Sequence, residues 1–416
     1  MITKKRPAVF RFITVLFFAI SVCLPAVGEI LDPLENVIHF SPACTKIYLG
    51  SPSLVKLDNG DWLAAMDMFG PNAPKPSVSM IFRSTDGGKK WRFVTDIEGS
   101  FWANLFTHRG ALYFLGCSEG NGSIVIRRSL DGGTTWTSPR DGQSGLLFAE
   151  GPDAGYHCAP MPVVEHRGRL YRAFENNATN SWPDGFRSFV ISADADADLL
   201  LASSWTMSNQ LVYDQESDPP EFARGAENLP GGKAAGWLEG NVVVTPEGNL
   251  VNILRVNSLP VVDRAAVVQI SDGGRKVRFD PQTGFINFPG GMTKFAIRRD
   301  PVTGIYWTLA NKNINPRNPT QRNSLQVHSS KDLREWVQHE VVLEDQSDFD
   351  RIGNDSKVGF QYVDFQFDRD DLVFQSRTAC QGAHNYHDAN YMTFHRIPNF
   401  RTRYSAASRR GWKEGR

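Results

Sequence analysis

The chain has 416 residues, 41% hydrophobic and 22% charged, the composition of a globular protein. Lys plus Arg and Asp plus Glu number 45 each, so no net field selects nucleic acid or an anionic membrane surface. An anionic ligand must therefore be met by a local cluster. The length exceeds one ordinary sandwich, but a toroidal repeat escapes that limit because each unit buries its faces against its neighbours.

In chain order, Lys4, Lys5, Arg6 and Arg11 lead into an apolar run from Phe12 to Val27 that ends in Ala26-Val27-Gly28. A basic lead, a short apolar stretch and small residues before Glu29 predict a signal peptide over residues 1–28 and a secreted or periplasmic chain. No second apolar stretch of spanning length follows, so no membrane contact is expected after cleavage. Cys23 leaves with the signal, and Cys44, Cys117, Cys158 and Cys380 remain, without CxxC spacing. Four cysteines allow three disulfide connectivities, or they stay as buried thiols.

Two segments then repeat: Arg83-Ser-Thr-Asp-Gly-Gly-Lys-Lys-Trp91 and Arg128-Ser-Leu-Asp-Gly-Gly-Thr-Thr-Trp136. Each follows an alternating strand, and each reads as a hairpin turn. The Asp carboxylate accepts turn N–H groups, the glycines supply positive φ, and the Trp packs back across the hairpin. Weaker copies occur at Ser271–Gly274 and Ser330–Trp336, with a drifted one from Ser192 to Trp205. These are Asp boxes, which are structural turns.

A strand–turn–strand unit precedes each box, first at Ser53–Ala64. It returns at Phe106–Gly116, Met161–Glu175, Asn241–Val256, Lys294–Ala310 and Tyr362–Ser376. The spacing of about 40–50 residues predicts an all-β propeller of four-stranded blades, six of them readable. A single domain over 29–400 follows, closed by pairing a strand near Val37–Tyr48 with Tyr391–Ile397. The Pro-, Gly- and charge-rich stretch from Trp205 to Gly236 is an insertion or a seventh unit. The basic, Ser-rich tail 401–416 reads as disordered.

Propellers carry function in loops over the central channel. Four polar clusters qualify: Phe101–His108, Gly155–Glu175, Gly236–Asn241 with Arg255, and Arg377 with Gly382–Tyr391. Arg172 stands mid-strand between Tyr171 and Ala173, a costly place for a charge without a partner or a channel. Structural uses compete: His108 precedes an Arg-Gly turn, Tyr156 suits a buried aromatic, and Arg172 suits an ion pair with Glu175 or Glu239. His384, His387 and Cys380 have ligand types suited to zinc, yet i, i+3 histidines on a loop fit a hydrogen-bonded clasp equally well.

Asp boxes together with Phe-Trp-Ala-Asn-Leu-Phe-x-His, Gly-Tyr-His-Cys-Ala-Pro and His-Asp-Ala-Asn-Tyr-x-Thr-Phe-His resemble the seven-bladed propeller group of uronate-cleaving enzymes. That group holds ulvan lyases, rhamnose–glucuronate lyases and related rhamnose–glucuronate hydrolases, and the resemblance runs from about Tyr48 to Phe400. It implies seven blades, a polysaccharide lyase cleaving a 4-linked glucuronate by β-elimination, and an acidic, uronate-containing glycan as partner. No cofactor is expected to be required, and a structural metal ion is left open at His384, His387 and Cys380. By resemblance, His108 and Tyr156 share the acid and base roles and Arg172 neutralises the carboxylate. Asn104, His157, Trp237 and Arg255 are substrate contacts. Ala65-Met66-Asp67 stands where some relatives have histidine, which tells against a hydrolase-type site on that face.

The enzyme rival is a glycoside hydrolase, most concretely an exo-sialidase. It needs a Tyr–Glu nucleophile pair, an acid Asp and three arginines, opened by an N-terminal Phe-Arg-Ile-Pro motif. The nearest string, His395-Arg-Ile-Pro398, lies at the opposite end of the chain. A non-catalytic carbohydrate-binding propeller is the remaining alternative.

Overall fold

The computed structural model describes residues 30–222, 235–315, 318–345 and 356–405. The predicted signal segment 1–28 lies outside the described residues. Six antiparallel sheets, each built on four strands from the axis outward, succeed one another around a ring. Their inner hairpins are the six read from sequence, beginning with Tyr48–Lys56 paired to Trp62–Phe69 in blade one. In blade six, Gly359–Asp368, Asp371–Ala379 and Tyr391–Ile397 are completed by the N-terminal strand Val37–Phe40, which closes the ring.

Among the described residues there are six blades, not the seven implied by resemblance. The second strand of blade three (Arg169–Asn176) packs directly against the inner strand of blade four (Gly236–Val244). The intervening stretch supplies the outer strand Trp205–Met207 of blade three and then an insert, of which residues 223–234 lie outside the described residues. At the other end, Phe400–Arg403 form a helical turn where a disordered tail was expected. Arg401 pairs with the fully buried Asp300, and the Tyr404 hydroxyl donates to Glu340. Residues 406–416 lie outside the described residues.

The Asp boxes behave as turn chemistry requires. Asp86 accepts the N–H groups of Lys89 and Lys90, the Gly88 N–H meets Ser84 Oγ, and Trp91 Nε1 closes on the Gly88 carbonyl. The second box repeats the pattern through Ser129, Asp131, Gly133 and Trp136. Hydrogen bonds from Thr135 pull Asp131 down to about 2. All four described cysteines are free, with Cys117 and Cys158 buried and their sulfurs 3.8 Å apart.

Each pair of neighbouring blades shares an apolar cluster. Near the axis a buried polar group also crosses every junction. Ser53 Oγ accepts the Leu105 N–H at 2.8 Å, and Asn104 accepts Arg172 Nε at 2.9 Å. Glu175 accepts the Gly240 N–H at 3.1 Å, and Asn241 clasps the Phe295 carbonyl and the Ile297 N–H, both at 3.1 Å. Lys294 Nζ donates to the Val363 carbonyl at 2.7 Å, and Asp364 accepts the Leu54 N–H at 2.8 Å. Replacing Asp364 with Ala strands that N–H and frees Arg298, its ion-pair partner at 3.0 Å. We expect a loss of about 3 kcal/mol in urea unfolding, since a buried orphan costs more than the bond itself gains.

Candidate functional site

Four inner strands break their ladder at the same place. Register shifts fall at Gly50/Ser53, Phe101/Asn104, Leu238/Asn241 and Gln361/Asp364. Inside each bulge one non-glycine residue takes a left-handed φ: Ser51 (51°), Trp102 (52°), Glu239 (58°) and Tyr362 (55°). A bulge re-aims its side chain, and here all four turn toward the axis. The strain, about 1–3 kcal/mol for each bulky residue, persists because the junction bonds hold the flanking residues.

These four residues line a pocket of about 310 Å³ at the end of the ring where the inner strands begin. Asp67, Arg255 and Arg377 reach it from second strands, and Arg322, His157, His387 and Trp182 complete the polar and aromatic wall. At its centre Tyr362 Oη donates to Glu239 Oε1 at 2.7 Å, while Arg255 pairs with Glu239 Oε2 at 2.8 Å. Burial alone would raise the Glu239 acid, but Arg255 and His157 hold it below its ordinary value. Burial and the Glu239 charge push the Tyr362 phenol up, so its proton leaves only if the neighbouring carboxylate takes it.

Around the phenol stand the other two guanidinium groups. Arg377 lies 4.9 Å and Arg322 5.6 Å from the Tyr362 ring centroid. Arg377 is fixed by the His387 carbonyl, and Arg322 by Gln361. Burial lowers Arg377 to about 10, which leaves it charged at neutral pH. Three guanidiniums at one pocket make an anion-binding wall of the kind that carboxylates fit.

Asp67 is the acid of the pocket whose burial matters most. Ser79 Oγ and the Trp102 N–H both donate to its carboxyl at 2.6 Å. Those bonds favour the anion, yet complete burial outweighs them and raises the acid from 3.8 to about 7. A carboxyl poised there can give a proton and take one back near neutrality.

The residues assigned by resemblance are not assembled at this pocket. His108 ends its strand (Phe101–His108) roughly 20 Å from Trp102, judged by the rise per residue, and bonds the Ala195 carbonyl at 2.8 Å. Tyr156 is buried between blades two and three, edge-on to Phe189. Arg172 is 1% exposed and serves Asn104 and the carbonyls of Ala159 and Ala173. Asn104 is its partner, and Trp237 is buried with its indole on the Phe186 carbonyl. Of the expected contacts, His157 and Arg255 do line the pocket, His157 with Nδ1 3.0 Å from Glu175.

The zinc-type residues form a clasp: Nδ1 of His384 and of His387 both meet Asp388, at 2.7 and 2.9 Å. Burial raises the Cys380 thiol to about 12. Among the described residues no group of three or more His, Cys, Asp or Glu is arranged to hold a metal ion.

Sequence reasoning placed Glu239 in a candidate polar cluster without giving it a role, passed over Tyr362, and read Asp67 as a departure. Their signal was positional. Superposing the inner hairpins on their turns puts Ser51, Trp102, Glu239 and Tyr362 at one place, each two residues before Ser53, Asn104, Asn241 or Asp364.

No protein-family model matches the chain, and no curated protein matches it. Solved structures do. The chain is similar to an α-L-arabinanase of Penicillium chrysogenum complexed with arabinobiose, with TM-score 0.53 and 15% identity over 88% of this chain and 98% of that one. It is similar to a Hadza microbial sialidase, with TM-score 0.56 and 14% identity over 87% of this chain and 68% of that one. It is also similar to an α-L-arabinofuranosidase from Fusarium graminearum, with TM-score 0.53 and 14% identity over 87% of this chain and 97% of that one. At such identities the likeness is one of fold, a β-propeller. It does not show the uronate lyase group.

Because the folded chain holds the Asp67 proton to about pH 7, against 3.8 ordinarily, that proton favours folding at low pH. Its contribution is complete below about pH 4 and is lost as pH rises through about 7. Asp67→Asn has no such proton to lose. Urea unfolding from pH 4 to 8 should show the stability difference between variant and wild type moving in the variant's favour as pH rises.

Proposed function

We propose that this chain is a retaining glycoside hydrolase of the sialidase type, removing a carboxylate-bearing sugar from a glycoside outside the cell. The observation that carries this reading is the 2.7 Å bond from the Tyr362 hydroxyl to Glu239 in a pocket shared with Asp67 and three arginines. The neighbouring folds named as a sialidase, an α-L-arabinanase and an α-L-arabinofuranosidase support glycoside chemistry. The lyase reading loses its support because His108 and Tyr156 do not meet at the pocket.

The chemistry follows from the residues. An anomeric carbon that carries a carboxylate repels an anionic nucleophile, and a phenol approaches it neutral. Tyr362 Oη bonds the anomeric carbon as its proton passes to Glu239, and the glycosidic C–O bond breaks as Asp67 protonates the leaving oxygen. Arg255, Arg322 and Arg377 hold the sugar carboxylate and fix the ring for attack. Water then gives a proton to Asp67 and attacks the same carbon from the leaving-group side. The Tyr362–sugar bond breaks, the phenol regains its proton from Glu239, and configuration is retained overall.

Purified chain should release 4-methylumbelliferone from its α-sialoside, and more slowly or not at all from the arabinofuranoside and glucuronide. Tyr362→Phe should lower kcat on the order of 10³-fold or more, with Glu239→Gln similarly impaired. Arg322→Met should act mainly by raising KM. Arabinofuranoside cleavage indifferent to the arginines would overturn the acidic-sugar assignment. Ultraviolet absorbance of an unsaturated uronate from a glucuronate glycan would overturn the hydrolase.

A further inference from the structure

Lys294 is 1% exposed, among the largest fully buried side chains of the molecule, and lies just ahead of the inner strand of blade five (Ala296–Arg299). It does not line the pocket, and the reaction above does not use it. Its ammonium crosses to blade six and meets two consecutive carbonyls, Val363 at 2.7 Å and Tyr362 at 3.4 Å. Those carbonyls belong to the bulge between Gln361 and Asp364, where the ladder to the second strand is interrupted and Tyr362 holds its left-handed φ of 55°.

We propose that Lys294 is a positioning residue for the Tyr362–Glu239 pair, holding the bulge that aims the phenol at the pocket. The inference rests on the reading of Tyr362 as nucleophile. Two other junctions manage with a hydroxyl at Ser53 or an amide at Asn241, and two use the carboxylates of Glu175 and Asp364, although an isolated buried ammonium is far more costly than a hydroxyl or an amide. The difference lies in what is bound. A left-handed residue turns its carbonyl and the next toward one place, and an ammonium carries three donors that can serve both. Negative charge at Asp364 and Glu239 favours the ammonium, while Arg298 and Arg172 oppose it, and burial lowers it to about 8. It therefore remains a donor at neutral pH. At the other partner Glu175 performs the matching task, accepting the N–H of Gly240 beside Glu239. The two partners of the pair are thus held from blades three and five by groups of opposite charge.

The test compares kcat and KM for the aryl sialoside in Lys294→Met, Lys294→Gln, Lys294→Arg, Arg401→Met and Tyr362→Phe, with unfolding midpoints for each. Arg401→Met removes the ion pair to the buried Asp300, at the far end of the blade-five inner strand from Lys294. Lys294→Met should lower kcat on the order of 10- to 100-fold at nearly unchanged KM, the cost of misplacing a reacting group by a fraction of an ångström to an ångström. Lys294→Arg should recover most of the loss, and Arg401→Met should leave kcat near wild type whatever its midpoint. Should the Met variant not fold, the Gln variant, which keeps donors without the charge, is read in the same way. Wild-type kcat in a folded Met or Gln variant, or a loss equal to that of Arg401→Met at matched stability, overturns the proposal while an inactive Tyr362→Phe leaves the nucleophile reading standing. An active Tyr362→Phe overturns both.

Discussion

The structure depends on how six separate sheets are kept in register around an axis. Apolar packing between blades is strong but non-directional, and it tolerates sliding of one sheet over the next. The polar crossings fix the offset, because a donor and an acceptor at 2.7–3.1 Å have one acceptable alignment. Each is buried, so slipping would exchange a bond for an unsatisfied group in a low dielectric. The ring is closed covalently by nothing; Val37–Phe40 joins blade six through a β-ladder. The polar crossings therefore carry the angular precision that a site built from several blades requires.

That precision is put to use by the bulges. A regular inner strand alternates its side chains between the two neighbouring blades and leaves none for the axis. Inserting one left-handed residue breaks the alternation and turns a side chain inward, while the residue two positions later resumes its place between the blades. In three of the four bulged strands that later residue, Ser53, Asn241 or Asp364, accepts a backbone N–H of the next blade's inner strand. Strained residue and restraint are thus separated by a single position. Glu239 and Tyr362, from blades four and six, meet within 2.7 Å because both arise from this one device.

Much of the fold was legible in the sequence because turns are local. Asp86 and Asp131 bind N–H groups three and four residues away, and such chemistry leaves a spacing that can be read. Six hairpins and the strand closing the ring were visible for the same reason. The site was less legible because its members are 123 residues apart at the bond that matters, Tyr362 to Glu239, and the left-handed backbone that joins them uses residues that rarely adopt it. Arg172 drew attention as a mid-strand charge, correctly as an expensive residue, but its cost is met by Asn104 and two carbonyls rather than by a ligand. Tyr156 stands beside His157, which does line the pocket, whereas His108 ends the strand that brings Trp102 there at its other end. A residue can sit in the right segment and still point the wrong way, since one position reverses the face of a strand.

The proposed sialidase-type reading has to do without an N-terminal Phe-Arg-Ile-Pro motif, and the packing around Arg377 is what supports it there. Blade one contributes Gly50 and Ser51 to the pocket in place of an arginine. A side chain at Gly50 would meet the Phe69 ring 3.2 Å from its Cβ, and the Arg377 guanidinium lies 3.8 Å away. The Phe69 ring in turn lies 4.6 Å beneath that guanidinium. A bulkier residue at 50 would displace the ring on which Arg377 rests. The third positive charge therefore enters from blade six, over the space that the glycine leaves, and comes to rest between Phe69 and Tyr362. What the chain lacks as a motif it supplies as a position, because a carboxylate is held by where the guanidinium groups end and not by the strand from which they start.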